Sequence, residues 1–540
     1  MSMKDTYLPA LATASRTGTK NGSAIVTEQT SFGGLCHRPD AGATDVYDMN
    51  NLTLMPSARS LTVRPERRTV VAARDGGGTP HGMCNHRGLI VAQGTSLYRM
   101  VGGELVRLGE VSDTDKSFAS FGERLIIMPD KLCYDASTGE ISPIELNSGE
   151  FGGTVSGNQI VGAGTWEEMG FHVGDGVRLE VGSISVNGYT GPEVAYCRIT
   201  AFSGRAMYVD HEFKQTGQLK MRMVRECPDM THICACGERL VGCSGNAIHI
   251  SEAGNPYNWC ATDPDGVASS DPATVRTASA GDFTGCIPWD GYVLLFKADH
   301  VCRLIGHGAG SYALDDAPLA GASDARSLCQ INGDVYYLGI TGPCRYGGGQ
   351  PACLADDIGV YLTEGCGGTD GRYYYLSARD ADGNEHIYVW DPVRSCWYVE
   401  DGADVAFMTN VGDRLYFQTS AGSIVVEGNA FHPARDGVSE IDTVGSLHAT
   451  VTFGCDQVSL PTPRRLKGLR FVAEAPTGDS ASVYVSYDNG EWHRIGVMEG
   501  FGARRTYRID LVPRACDEYR LRFELCGAWR IDRIYRVYRE

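Results

Sequence analysis

A short alternation of apolar and polar positions recurs along the chain, clearest from Gly88, where Gly-Leu-Ile-Val-Ala-Gln-Gly-Thr-Ser-Leu-Tyr-Arg-Met reads as strand, tight turn and returning strand. The pattern returns at Glu123–Tyr134, at Glu238–Ile250, and from Gly291, Gly333, Gly371 and Gly412. Each copy enters on a small or charged residue, runs through about four apolar or alternating positions, and turns on Gly, Asp, Asn or Ser. This is the signature of a β-hairpin, read as a buried inner strand with its partner. About seven such hairpins, spaced roughly 35–50 residues apart outside one long gap, predict the blades of a β-propeller.

The gap has strands of its own. Phe171–Leu179, Glu193–Thr200, Arg205–Val209 and Leu219–Val224 alternate between Gly-rich turns, which predicts a small β-barrel inserted over residues 147–225. The last 110 or so residues change character again. Arg464–Val472, Ala481–Tyr487, Trp492–Val497, Thr506–Leu511, Tyr519–Leu525 and Ile531–Val537 alternate cleanly and predict an antiparallel β-sandwich. The expected fold is therefore all-β. Its order is a flexible N-terminal arm (1–31), the first part of the propeller (32–146), the inserted barrel (147–225), the rest of the propeller (226–430) and the C-terminal sandwich (431–540).

Composition narrows the function classes. No stretch of 18 apolar residues is present, so no membrane span is expected, and the N-terminus lacks a basic start followed by an apolar core. Folding in a cytoplasm is the expectation. The 19 cysteines are odd in number and scattered singly, which reads as buried free thiols rather than a disulfide framework. Formal charge is −18, from 48 Lys+Arg against 66 Asp+Glu. Residues 430–540 hold 16 basic and 15 acidic side chains, so about −19 falls on the first 429 residues. Generic affinity for nucleic-acid backbones is therefore not expected, and the acidic surface suits a solvated exterior and equally a channel through which DNA slides without sticking.

Candidate chemistry is sparse. Cys234 and Cys236 share one strand face but lack a second Cys pair for a zinc site. His81 and His86 flank Cys84 as conceivable metal ligands, in a segment that enters a strand. Asp380-x-Asp382-Gly383-Asn384-Glu385 imitates half a calcium loop without the distal Glu, and Asp263-Pro264-Asp265-Gly266 reads likewise as a turn. Ser486-x-Asp488-x-Gly490-x-Trp492 approaches the sialidase Asp-box, one residue short and outside the propeller. No phosphate loop, nucleophile elbow or His-Glu-x-x-His motif occurs. The expectation is no enzyme, with no catalytic, cofactor-binding or metal residue assigned.

Several motifs do carry a resemblance. Phe32-Gly33-Gly34-Leu35, Met49-Asn50-Asn51-Leu52 and Arg64-Pro65-x-Arg67-Arg68 open the chain, with Cys36 in place of an Asn and Glu66 in place of a Gly. Arg225-x-Cys227-Pro228-Asp229-Met230 leads to Ser251-Glu252-Ala253-Gly254-Asn255-Pro256-x-Asn258-Trp259, and Trp390-Asp391-Pro392 is followed by Trp397. Together with the close Arg530–Val537, these resemble β-propeller virion proteins of tailed bacteriophages, of the short-tail nozzle or packaged-DNA-stabilising type. The resemblance covers nearly the whole chain as dispersed motifs. It implies a structural protein of the virion tail, assembled in the host cytoplasm into a homo-oligomeric ring. That ring would contact other tail or portal/adaptor proteins, and duplex DNA would pass without sequence-specific binding. Two alternatives stand beside it. One is a baseplate or receptor- and carbohydrate-binding tail protein, for which an aromatic groove beside Trp492 or Trp529 would speak. The other is a propeller glycoside hydrolase, which would need two carboxylates facing one cleft.

Overall fold

The computed structural model describes residues 25–55, 60–73, 77–162, 164–186, 189–261, 270–306, 308–428, 447–458 and 464–539. The first 24 residues of the expected arm and the Asp263–Gly266 turn lie outside them. The described chain is β-structure throughout, apart from one 3-10 turn at Ala325–Ser327. Among the described residues no helix is long and apolar enough to cross a membrane.

Seven four-stranded antiparallel sheets follow one another as blades. Blade 1 holds Pro80–Asn85, Leu89–Gln93, Ser96–Val101 and Glu104–Glu110, from the inside outward. Blades 2 to 6 begin with inner strands Ser117–Phe121, His232–Cys236, Gly285–Trp289, Cys329–Ile331 and Thr363–Thr369. Blade 7 takes Val405–Val411, Arg414–Thr419 and Ile424–Val426 from one end of the propeller and its outermost strand, Arg68–Val71, from the other. Val71 pairs with Ile424 across this join, closing the ring. The recurring hairpins are the second and third strands of the blades. The innermost strand precedes each hairpin, because Leu89–Gln93 and its counterparts are buried between two neighbouring strands rather than on the axis.

Apolar side chains from adjacent blades form the cores between them. Ile90, Ala92, Leu125 and Ile127 pack between blades 1 and 2, and Val241, Ile248, Val293 and Leu295 between blades 3 and 4. Their burial, at about 25 cal/mol per Å² of apolar surface, is what holds sheets that share no hydrogen-bonded edge. Leu146–Arg225 leaves blade 2 and folds as a closed six-stranded barrel around Val155, Trp166, Phe171, Val177 and Met223.

The sandwich is built from both ends of the chain. One sheet joins Leu52–Leu54, Leu61–Val63, Arg530–Arg539, Arg465–Glu474 and Arg505–Asp510, with Ile25–Gln29 also on Arg530–Arg539. The other joins Val46–Asn50, His448–Phe453, Glu518–Cys526, Ser480–Tyr487 and His493–Glu499. This corrects the expected boundary: residues 32–63 do not begin the propeller, and Ile25–Gln29 of the arm is a paired strand. Their partners lie some 400 residues away, as when Asn51 Nδ2 donates to the His448 carbonyl at 2.8 Å. Local alternation does not disclose such a partner. The inner faces of the sandwich and the outer strand of blade 6 share one core, in which Trp397 is completely buried.

Candidate functional site

The inner strands converge on an axial cavity of about 580 Å³ to which all seven blades contribute. Near the axis seven strands crowd together, so small and slender residues line it: Cys84, Ser117, Cys234, Cys286, Ala325, Cys366 and Gly367. A Cβ on Gly367 would stand 2.6 Å from the Ser327 carbonyl oxygen, which is why nothing larger fits there. Met83, Phe118, Phe407 and Met408 add apolar and sulfur surface.

Besides the thiols, five ionisable side chains belong to this lining: Asp115, Lys116, His232, Asp324 and Arg326. Asp324 precedes the 3-10 turn and accepts from the Arg326 amide at 2.9 Å. Its Oδ2 also accepts from Arg326 Nε and Nη2 at 3.0 and 2.6 Å. The Asp324 carboxylate holds the guanidinium above its ordinary pKa, and the same cation lies 5.9 Å from the Phe407 ring centre. Asp115 accepts from or faces His81 Nδ1 at 3.0 Å, while Asp113 meets the other ring nitrogen at 2.8 Å. The Lys116 ammonium is fully buried, donating to the Ser112 carbonyl and hydroxyl, both at 2.8 Å, and pairing with Asp130 at 2.8 Å. Burial pushes the His232 imidazole down and the Cys366 thiol up to about 12. The cavity thus presents two carboxylates that each already hold a cationic or titratable partner, over a soft, sulfur-rich wall. Such a surface can hold a small ligand by shape and a few polar contacts.

Of the residues singled out in the sequence, Cys84 and Cys234 both line the axial cavity, and the others are dispersed. Cys234 and Cys236 both face blade 4, Cys234 in the core and Cys236 with its Sγ 3.4 Å from the Tyr292 carbonyl. His86 sits apart from His81, its ring nitrogens 3.1 Å from Ser120 Oγ and from the Glu123 carbonyl. Asp380 ties its own turn, accepting from the amides of Asp382 and Asn384 at 2.9 and 2.8 Å. Asp488 likewise accepts from the amides of Asp517 and Glu518. Trp529 is fully buried, and Trp492 lies under the Arg522 guanidinium at 4.4 Å, so neither opens an aromatic groove. Among the described residues no three His, Cys, Asp or Glu side chains gather as a metal-ligand set. Asp324 and Arg326, two residues apart on the turn before blade 5, and His232 of blade 3 were missed in the sequence because the two segments are some 90 residues apart and form no recognised local motif.

The best-defined motif turns out to be a latch. Asn258 donates to the Gly174 carbonyl at 3.0 Å and accepts from the Gly176 amide at 2.5 Å, both in the barrel. Glu252 pairs with Arg198 of the barrel at 2.7 Å. Arg225, only 2% exposed, donates to the carbonyls of Ile144, Pro143 and Gly170 and pairs with Asp175 at 2.7 Å. Tyr257 stacks under the Arg225 cation at 4.7 Å, and Trp259 fills the space between blades 2 and 3.

No family model matches the sequence, and no curated relative does. Among solved structures, an arabinoxylan arabinofuranohydrolase from Bacillus subtilis is 12% identical over 86% of this chain and 98% of its own, with a TM-score of 0.20. An exo-β-1,3-galactanase from Phanerochaete chrysosporium is 12% identical over 56% of this chain and 94% of its own, with a TM-score of 0.20. A putative 6-phosphogluconolactonase from Bacteroides fragilis is 13% identical over 70% of this chain and 94% of its own, with a TM-score of 0.33. The likenesses carry no residue, substrate or reaction to this chain. The expectation that the chain is no enzyme is withdrawn, because the seven blades assemble an axial cavity which it did not anticipate. That expectation rested on the want of a local motif. A propeller cavity is assembled from segments dozens of residues apart, where a local motif does not register.

Proposed function

We propose that this chain is a structural β-propeller protein of a tailed-phage virion, one subunit of a homo-oligomeric ring around the DNA path of a short tail. The observation that carries this reading is the use made of the most family-like stretch, Arg225–Trp259. Its conspicuous side chains lock an inserted barrel rigidly to blades 2 and 3. Two further features support it. The sandwich is sewn from both chain ends onto blade 6, so propeller and sandwich resist being pulled apart. The acidic balance of the first 429 residues repels a phosphate backbone. The axial cavity is ligand-sized, so the DNA path in this reading runs between several copies rather than through one propeller. Closed rings follow when a heterologous interface returns on itself. The other ring contacts would be tail and portal or adaptor proteins, and the place of the protein the virion tail.

Electron microscopy of the purified full-length chain, with mass photometry across concentration, tests this. Rings with a lumen that admits duplex DNA are expected. Monomers at every concentration, together with saturable glycan binding abolished by Asp324→Asn, would replace this reading with a carbohydrate-binding one.

A further inference from the structure

Blade 6 and one sheet of the sandwich run into each other through the segment that holds Leu35, Cys36 and His37. Leu35 bridges Val46 of the sandwich on one side and Trp397 of blade 6 on the other. The Cys36 and His37 amides donate to the Val46 and Asp357 carbonyls at 2.8 and 2.9 Å. A cavity of about 260 Å³ opens at this seam and shares no lining residue with the axial one. Leu35, Ile358, Val360 and Val399 give it apolar walls. Its polar groups come from three segments: His37, then Asp48 and Asn50 of the sandwich edge strand, then Asp380 and His386 of blade 6. Asp48 and Asn50, two apart on one strand, share a face, and Thr450 stands opposite Asn50.

Two of these groups lack a partner. Asn50 Oδ1 and His386 Nδ1 are buried and make no hydrogen bond. Buried polar atoms are normally paired, so two such atoms on one small cavity mark a place shaped for something the chain does not itself supply. His37 Nδ1 lies 2.9 Å from the Ile358 carbonyl oxygen, which can only accept, so Nε2 of the neutral ring offers a lone pair. That Nε2 is 3.9 Å from the Asp48 carboxylate, too far to share a hydrogen, and Asp48 is half exposed at the mouth. Asp380 caps its own turn and still carries its charge at neutral pH. Among the described residues neither Lys nor Arg lines the cavity. The guanidiniums that flank it are engaged, Arg38 with Asp357 at 3.5 Å and Arg520 over the Tyr47 ring at 4.6 Å. The cavity therefore combines two negative charges, an excess of acceptors and an apolar wall. A bare metal ion would find too few ligands, because no three imidazole or carboxylate groups gather here among the described residues. A primary ammonium brings a positive charge and three donors with no acceptor, and its alkyl stem suits the wall. We propose that this seam cavity binds a short alkylammonium of the alkyl diamine class. Its nitrogens meet the acceptors of Asn50, His37 and His386 and the Asp48 and Asp380 carboxylates, and its methylenes lie against Leu35, Ile358 and Val360. The volume falls below the roughly 300–1,000 Å³ of drug-sized pockets, which suits a ligand of few heavy atoms. Because the site is built from both propeller and sandwich, occupancy favours the docked arrangement of the two.

The test is a titration of 1,4-diaminobutane into the full-length protein carrying 13C at the histidine ring Cε1. Neutral pH and physiological salt are used, where screening weakens attraction to the acidic surface at large. Of the 13 histidine signals, the two lost in His37→Gln and in His386→Gln should move along one saturating curve. Butane-1,4-diol, of the same length but uncharged, should bind the wild type at least about tenfold more weakly. Asn50→Leu, which removes the buried acceptor, should weaken the diamine about tenfold, and Asp48→Asn about two- to fivefold. Signals that stay still, that drift across the whole protein without saturating, or that answer the diol at the same midpoint overturn the assignment.

Discussion

Replacing Arg225 with Ala is the sharpest test of how the barrel is held. The side chain is buried, pairs with Asp175 at 2.7 Å, and supplies donors to three backbone carbonyls. Its removal strands a carboxylate that is itself buried, keeping only the His172 amide at 2.9 Å as a donor. Breaking a buried ion pair from one side costs about 3–5 kcal/mol, and carbonyls left without donors add to that, partly offset by water entering the vacated space. A net loss of about 4–6 kcal/mol falls on barrel docking, or roughly three to four orders of magnitude in the local opening equilibrium. Limited proteolysis at the two chain crossings beside Leu146 and Arg225, with hydrogen exchange over the barrel strands, measures it. Loss of protection should concentrate there and spare blades 4 to 6. The double variant Arg225→Met/Asp175→Asn should recover at least about 2 kcal/mol, because no unpaired charge remains. A change in the single variant below about 1 kcal/mol, or one spread evenly over all blades, would refute the latch.

Other consequences are more direct. Trp259→Ala empties the space between blades 2 and 3 and should cost about 3–5 kcal/mol, read as a lower denaturation midpoint. Gly321→Ala places a Cβ 1.8 Å from the Lys297 carbonyl oxygen, so the link between blades 4 and 5 must shift and thermal stability should drop. Among the nineteen cysteines Cys353 is exposed, so a thiol reagent should modify Cys353 first in the native protein, with peptide mapping as the readout. Burial pushes the His86 imidazole down, which keeps it neutral when folded. Stability at blades 1 and 2 should therefore fall as pH drops through 6.5, and His86→Gln should remove that acid sensitivity.

The sequence by itself determined the repeating unit. Every hairpin read from Gly88 to Gly412 is the middle of a blade, because a strand, a Gly-, Asn- or Asp-centred turn and a returning strand are all local properties of the chain. The barrel and the terminal strands were legible for the same reason; the six strands read between Arg464 and Val537 lie within about two residues of those observed. Only tertiary structure decided what was paired across hundreds of residues. Arg68–Val71 closes blade 7, Val46–Asn50, Leu52–Leu54 and Leu61–Val63 join the sandwich, and Arg67 meets Glu400 and Glu427, and no local period distinguishes these from other strands and charges. The axial cavity belongs to the same class. Each blade contributes only a few residues, so its chemistry exists once the ring has closed and not before.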